Sequence, residues 1–198
     1  MKGRALVAVV VIGTLALAAE LVSRLPPVLW ALVQYSAPPV DVTLPVAGVR
    51  AEELSDTWGA ARSEGRHHEG IDIFAPRGTA VVAATAGKVV RVGQNRLGGN
   101  VIYIAGDGAQ LYYYAHLDSF RAGLEPGDTV AAGDVIGHVG KTGNAAHTPP
   151  HLHFGIYPAS NWFRAVDPYP FLRDRARTVG TPLKPIKPVK PRFNRGRV

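Results

Sequence analysis

Residues 127–137 read Gly127-Asp128-Thr129-Val130-Ala131-Ala132-Gly133-Asp134-Val135-Ile136-Gly137, two Gly-Asp pairs flanking a short branched run. Gly supplies the positive φ that tight turns need and Asp bonds nearby backbone, so each pair punctuates the chain. Thr129-Val130 and Val135-Ile136 suit a pleated, half-buried surface. Working outward, the same rhythm extends from about 71 to 156. The runs 81–85, 87–92, 100–105, 110–117, 129–131, 135–139 and 152–157 are rich in branched and aromatic residues. Gly78, Gly98-Gly99, Gly106-Asp107-Gly108, Pro126-Gly127-Asp128 and Gly140 to Asn144 separate them. Strand-length runs at this spacing predict an all-β molecule, an antiparallel sheet or sandwich. The 127–137 segment also resembles the hairpin of biotinyl and lipoyl carrier barrels, but no Lys stands at a hairpin tip, so it is a clue to fold alone.

The chain has 198 residues, 46% of them apolar, which is room for one domain with a sizeable core plus appendages. There is no cysteine, which excludes disulfides, thiolate metal sites, a cysteine nucleophile and an acylated cysteine anchor. Any metal must be held by His and carboxylates. The net charge of +7 is unevenly placed. Lys184, Lys187, Lys190, Arg192, Arg195 and Arg197 stand in a closing stretch without acids, and Lys2, Arg4 and Arg24 against Glu20 make the start basic. Residues 26–180 hold 13 basic and 14 acidic groups, so the folded part is not basic and no nucleic-acid partner is expected.

After Lys2 and Arg4 the chain runs from Ala5 to Ala19 without a charge. A basic start, an apolar run and small residues at its end are the pattern of a signal peptide, or of a signal anchor if it is not cut. Residues 1–25 are therefore expected to form a hydrophobic helix that exports the rest of the chain to the cell envelope, with membrane attachment if uncleaved. Residues 26–50 carry Pro26, Pro27, Pro38, Pro39 and Pro45 and read as a linker or as a strap packed on the domain. Residues 51–172 are the expected domain. Residues 173–198, with repeated Lys-Pro, read as a disordered basic tail. No wall-binding module, coiled coil or repeat accompanies the domain, and nothing specifies an oligomeric state.

The histidines carry the chemistry. In His68-Glu69-Gly70-Ile71-Asp72 an imidazole and a carboxylate stand four apart, on one face of an extended chain. Gly70 lies between them on that face, leaving room for a cation. In His151-Leu152-His153 two imidazoles share a strand face while Leu152 points to the core. Asp and His are donors that Zn²⁺ accepts in an open tetrahedral site. His116 ends a third strand in Tyr114-Ala115-His116-Leu117. His67 and His138 are read as structural, and His147 stands near enough to the His151-Leu152-His153 strand to matter but has no motif support.

These motifs, His68-x-Gly70-x-Asp72, Ala75-Pro76-x-Gly78-Thr79, Tyr114-Ala115-His116-Leu117 and Pro150-His151-Leu152-His153-Phe154, resemble in order those of the lysostaphin-type zinc metallopeptidases, the LytM or M23 family. The resemblance covers roughly residues 56–158, with Asp56-Thr57-Trp58-Gly59 and Arg62 similar to the segment before the first ligand. It implies an antiparallel β fold of the LytM, duplicated-hybrid-motif kind with a groove, and hydrolysis of peptide bonds in bacterial peptidoglycan. It further implies His68, Asp72 and His153 as zinc ligands and His116 and His151 as catalytic, non-ligating histidines. Some members carry a Tyr shortly before the first ligand; here none lies between Tyr35 and Tyr103, so a histidine and the metal must serve the oxyanion. Pro150 and Gly155 replace a common Gly and Glu without removing a ligand. Some relatives have lost ligands and act only as binding or activator proteins for other wall hydrolases. All five positions are intact here, which favours an enzyme.

Overall fold

The computed structural model describes residues 42–158 and 164–175. The expected export segment at 1–25, most of the 26–50 spacer and most of the 173–198 tail lie outside the described residues. Among the described residues, no helix is long and apolar enough to cross a membrane.

The chain forms β1 (Ile71–Phe74), β2 (Ala80–Val82), β3 (Gly87–Asn95), β4 (Gly99–Gly106), β5 (Gln110–Phe120), β6 (Thr129–Val130), β7 (Val135–Val139), β8 (His151–Pro158) and a short helix α1 (Tyr169–Arg175). The strand order is β1-β8-β5-β4-β3-β6, with β7 joining β5 to β2. Every pairing is antiparallel, as the turn-rich sequence predicts. The run 81–85 is strand only in its first part. Beyond Val82, Ala83 and Ala84 are still buried, but their N–H groups donate to the Asp134 carbonyl and the Tyr114 hydroxyl, both at 2.8 Å, instead of to a ladder.

The core is the inner face of this sheet. Ile71 and Ile73 of β1, Leu152, Phe154 and Ile156 of β8, and Tyr112 and Tyr114 of β5 are essentially inaccessible to solvent. The alternation on β8 sends Leu152, Phe154 and Ile156 inward, so His151 and His153 face the other way. On β5 the same alternation would bury His116 with Tyr112 and Tyr114. Instead the β4 to β5 register shifts, and His116 takes a left-handed conformation with φ of 62°. A bulge of this kind re-aims side chains. Leu117 recovers the core face, fully buried, and His116 turns to the outer face. His116 therefore lies within β5, which runs on to Phe120, rather than at a strand end.

Two further segments pack on the sheet. Residues 42–47 are strap rather than loose linker, since Val42 and Val46 are buried in the core. Thr43 N–H donates to the Ala84 carbonyl at 2.7 Å, Val82 N–H to the Pro45 carbonyl at 2.9 Å and Ala47 N–H to the Ala80 carbonyl at 3.0 Å. Burying each valine stabilises the fold by roughly 1.5–3 kcal/mol. Residues 60–68 fold back as a hairpin, with Ala61 paired to His67 and Arg62 N–H donating to the Arg66 carbonyl at 2.9 Å. At its tip Glu64 and Gly65 are both left-handed, with φ of 63° and 69°. Gly adopts this freely, but a residue with a Cβ loses roughly 1 kcal/mol there.

Candidate metal centre

β1 pairs with β8 so that Asp72 lies opposite His153 and Phe74 opposite His151. β5 flanks β8 on its other side, with Ala115 opposite His153, which brings the bulged His116 alongside. The hairpin delivers His68 from beyond the start of β1. The three donors of His68, Asp72 and His153 converge. His68 Nε2 is 2.8 Å from His153 Nδ1 and 3.1 Å from Asp72 Oδ1, and His153 Nδ1 is 3.3 Å from the same oxygen. Among the described residues these three form the group of His and carboxylate side chains able to hold a metal ion.

Their protonation favours a cation. His68 Nδ1 lies 2.7 Å from the Thr57 carbonyl, an oxygen that can only accept, so Nδ1 carries the proton and Nε2 presents a lone pair. Asp72 is held ionised. Burial opposes this, but the adjoining His153 and His68 rings prevail and set its carboxyl well below the ordinary range. Its second oxygen accepts from Arg62 Nη2 at 2.5 Å, and its backbone N–H donates to Thr57 Oγ1 at 2.9 Å. With His153 Nδ1 also unprotonated, the three atoms present two imidazole lone pairs and a carboxylate oxygen to a cation among them. Donors about 2.0–2.1 Å from a tetrahedral zinc stand roughly 3.3 Å apart, close to the two separations from Asp72 and wider than the 2.8 Å between the imidazoles. Gly70 permits the approach differently from the expectation that the cation takes its empty side. A Cβ there would lie 2.6 Å from the Phe154 carbonyl oxygen and 2.8 Å from His153 Cε1, so the missing side chain is replaced by the His153 ring.

Two more imidazoles adjoin the donors. His151 Nδ1 lies 2.8 Å from the Pro149 carbonyl and His116 Nδ1 2.9 Å from the Thr142 carbonyl. Each nitrogen must therefore donate, which leaves each Nε2 as a base. His151 Nε2 is 3.7 Å from Asp72 Oδ1, and the His116 and His151 rings are 5.0 Å apart. Burial, with the adjacent His153 and His151, pulls the His116 imidazole down to about 4, so it is neutral at neutral pH. Phe74, half exposed, packs its ring 5.3 Å from His151. Sequence motifs point to all five of these histidine and aspartate positions. They do not point to the carbonyls of Thr57, Thr142 and Pro149 or to the Arg62 contact, because a backbone acceptor leaves no trace in residue type. His67, His138 and His147 stand apart: His67 donates to the Gly59 carbonyl, His138 bonds Ser119, and His147 is exposed. A groove of about 1130 Å³ runs over the site, with Tyr113 and Tyr157 on one wall and Arg66, Arg96 and Leu97 at its rim.

The model of the family described as Peptidase family M23 matches residues 66–168, over half of the chain. The chain belongs to peptidase family M23. It is 43% identical over 127 residues to the L-Ala--D-Glu endopeptidase of Bacillus subtilis, covering 59% of this chain and 38% of that protein. The catalytic domain of the antimicrobial peptidase lysostaphin from Staphylococcus simulans superposes with a TM-score of 0.55 at 34% identity, over 62% of this chain and 95% of that one. A zinc-containing peptidase from Vibrio cholerae superposes with a TM-score of 0.53 at 27% identity, over 65% of this chain and 39% of that one. This M23 chain thus spans well under half the length of the curated relative it matches.

Proposed function

We propose that this M23 protein is a zinc metalloendopeptidase that hydrolyses peptide bonds in the stem peptides of bacterial peptidoglycan, outside the cytoplasmic membrane. The observation that carries the proposal is the convergence of His68 Nε2, Asp72 Oδ1 and His153 Nδ1, beside two imidazoles whose Nδ1 atoms donate to backbone carbonyls. The family and the peptidase names of its relatives support the reaction class.

His68, Asp72 and His153 would hold the ion. When bound, zinc supplies a Lewis acid that polarises the scissile carbonyl and makes water more acidic. His151, whose Nε2 lies nearest the donor set, takes the proton from the attacking water and passes it to the leaving amine. The Pro149 carbonyl fixes its ring for that role. His116 adjoins His151, and its Nε2 lone pair relays a proton; once protonated, that nitrogen donates to the developing oxyanion, in place of a tyrosine before His68. The tyrosine wall excludes water from one side and gives an extended peptide a surface to lie on.

Full-length protein incubated with purified sacculi and zinc should release peptide products that mass spectrometry identifies, and a chelator should stop it. His151→Ala should keep stoichiometric zinc while losing at least about a hundredfold in rate. Asp72→Ala should lose zinc and activity together. Full cleavage by metal-free Asp72→Ala protein would sink the proposal.

A further inference from the structure

The hairpin tip and the β3–β4 turn place two guanidinium groups on one carboxylate at the rim of the groove. Glu64 Oε2 is 3.8 Å from Arg66 Nε and 3.9 Å from Arg96 Nη2. Both separations exceed hydrogen-bond length, so neither arginine is saturated by Glu64. Arg66 Nε is buried with no hydrogen-bond partner, while its Nη2 donates to Ser63 Oγ at 3.2 Å. Arg96 makes no hydrogen bond among the described residues, and Glu64 is its one ion-pair partner there. A buried guanidinium donor without an acceptor is costly, and the cost is relieved when an acceptor arrives.

Glu64 itself sits in the left-handed conformation that favours glycine, at a position where its side chain reaches across to the β3–β4 turn. An internal carboxylate thus lies between two cations that it does not satisfy. Arg62 is engaged by Asp72, His67 donates to the Gly59 carbonyl, and Glu69 has no ion pair among the described residues. The arginine pair also adjoins the candidate metal centre, because Arg62, which grips Asp72, bonds the Arg66 carbonyl through its backbone N–H.

We infer that Arg66 and Arg96 form a clamp for a free carboxylate of the bound peptide, with Glu64 as the internal anion that this carboxylate displaces; the inference rests on the peptidase reading of the same groove. The planar fork of each guanidinium matches a carboxylate in a way that a neutral amide does not. The groove accordingly selects acidic over amidated stem peptides.

Binding tests the clamp without requiring turnover. The full-length chain, with zinc chelated so that the probe survives, is titrated into a fluorescently labelled peptidoglycan stem pentapeptide, either with free carboxylates or fully amidated. The free form should bind roughly tenfold more tightly, as charge-assisted hydrogen bonds imply. Arg66→Gln with Arg96→Gln should bring it to the affinity of the amidated form and leave amidated binding unchanged. Glu64→Gln should act oppositely, tightening the acidic peptide alone. Equal binding of both peptides by the wild type, a preference that survives in the double variant, or an equal loss for both peptides with a lowered melting temperature each overturns the clamp. Cleavage of sacculi without this preference leaves the peptidase standing and removes the clamp. Preference without cleavage does the reverse.

Discussion

Asp72 divides its carboxylate between two tasks: Oδ1 faces the imidazoles and Oδ2 accepts from Arg62. The guanidinium fixes the plane of the carboxylate and so the direction of the free lone pair. Arg62→Ala should weaken zinc binding about 10- to 100-fold, the usual loss when the partner of a ligand is removed, and Arg62→Lys should recover part of it. Competition with a chromogenic chelator measures both. His116 gives a prediction of sign. Its imidazole moves from an ordinary value of 6.5 to about 4, chiefly through burial and then through His153 and His151. The unfolded chain thus binds the proton first, so the stability this group contributes is present above pH 6.5 and is lost as pH falls toward 4. Melting temperatures of the metal-free protein should fall across that window, and His116→Gln should flatten the fall. At this scale the motif residues are legible in the sequence because their chemistry is rare and their spacing strict. Arg62 is visible only as a neighbour of the motif, since its partner lies ten positions away on another element.

Between elements, the contact of the Gly70 segment with β8 sets the donor geometry. Gly70→Ala puts a Cβ against the Phe154 carbonyl and the His153 ring, so β1 and β8 must separate or the ring must swing away. Overpacking of this kind costs about 1–3 kcal/mol, and a melt should show it together with a loss of bound zinc. Branched and aromatic runs predict most of the strands because each has a buried face. β1, only Ile71–Phe74, is legible as an extended site segment rather than as a strand, being too short to show alternation. The bulge at His116 is not legible, because nothing in Tyr114-Ala115-His116-Leu117 marks where the pairing slips.

In the whole molecule, the candidate ligands lie on the 60–68 hairpin, β1 and β8, so a bound ion would tie the hairpin to two strands that otherwise meet through pairing. Zinc at about 1,000 times its Kd should stabilise the fold by ~4 kcal/mol, read as a rise in melting temperature that chelation reverses and His153→Ala abolishes. The antiparallel architecture is legible from turn spacing. Residue types alone do not distinguish strap from linker at 42–47, since Val42 and Val46 show their role only when β2 is there to receive them. The pairing of β1 with β8 has a last consequence, in time. Asp72 and His153 are 81 residues apart, and the strands that carry them are the first and last of the sheet. A chain emerging from the ribosome N-terminus first exposes His68 and Asp72 long before their partner exists. Synthesis order alone therefore keeps the nascent protein from assembling its proposed catalytic centre until almost the entire domain has been made.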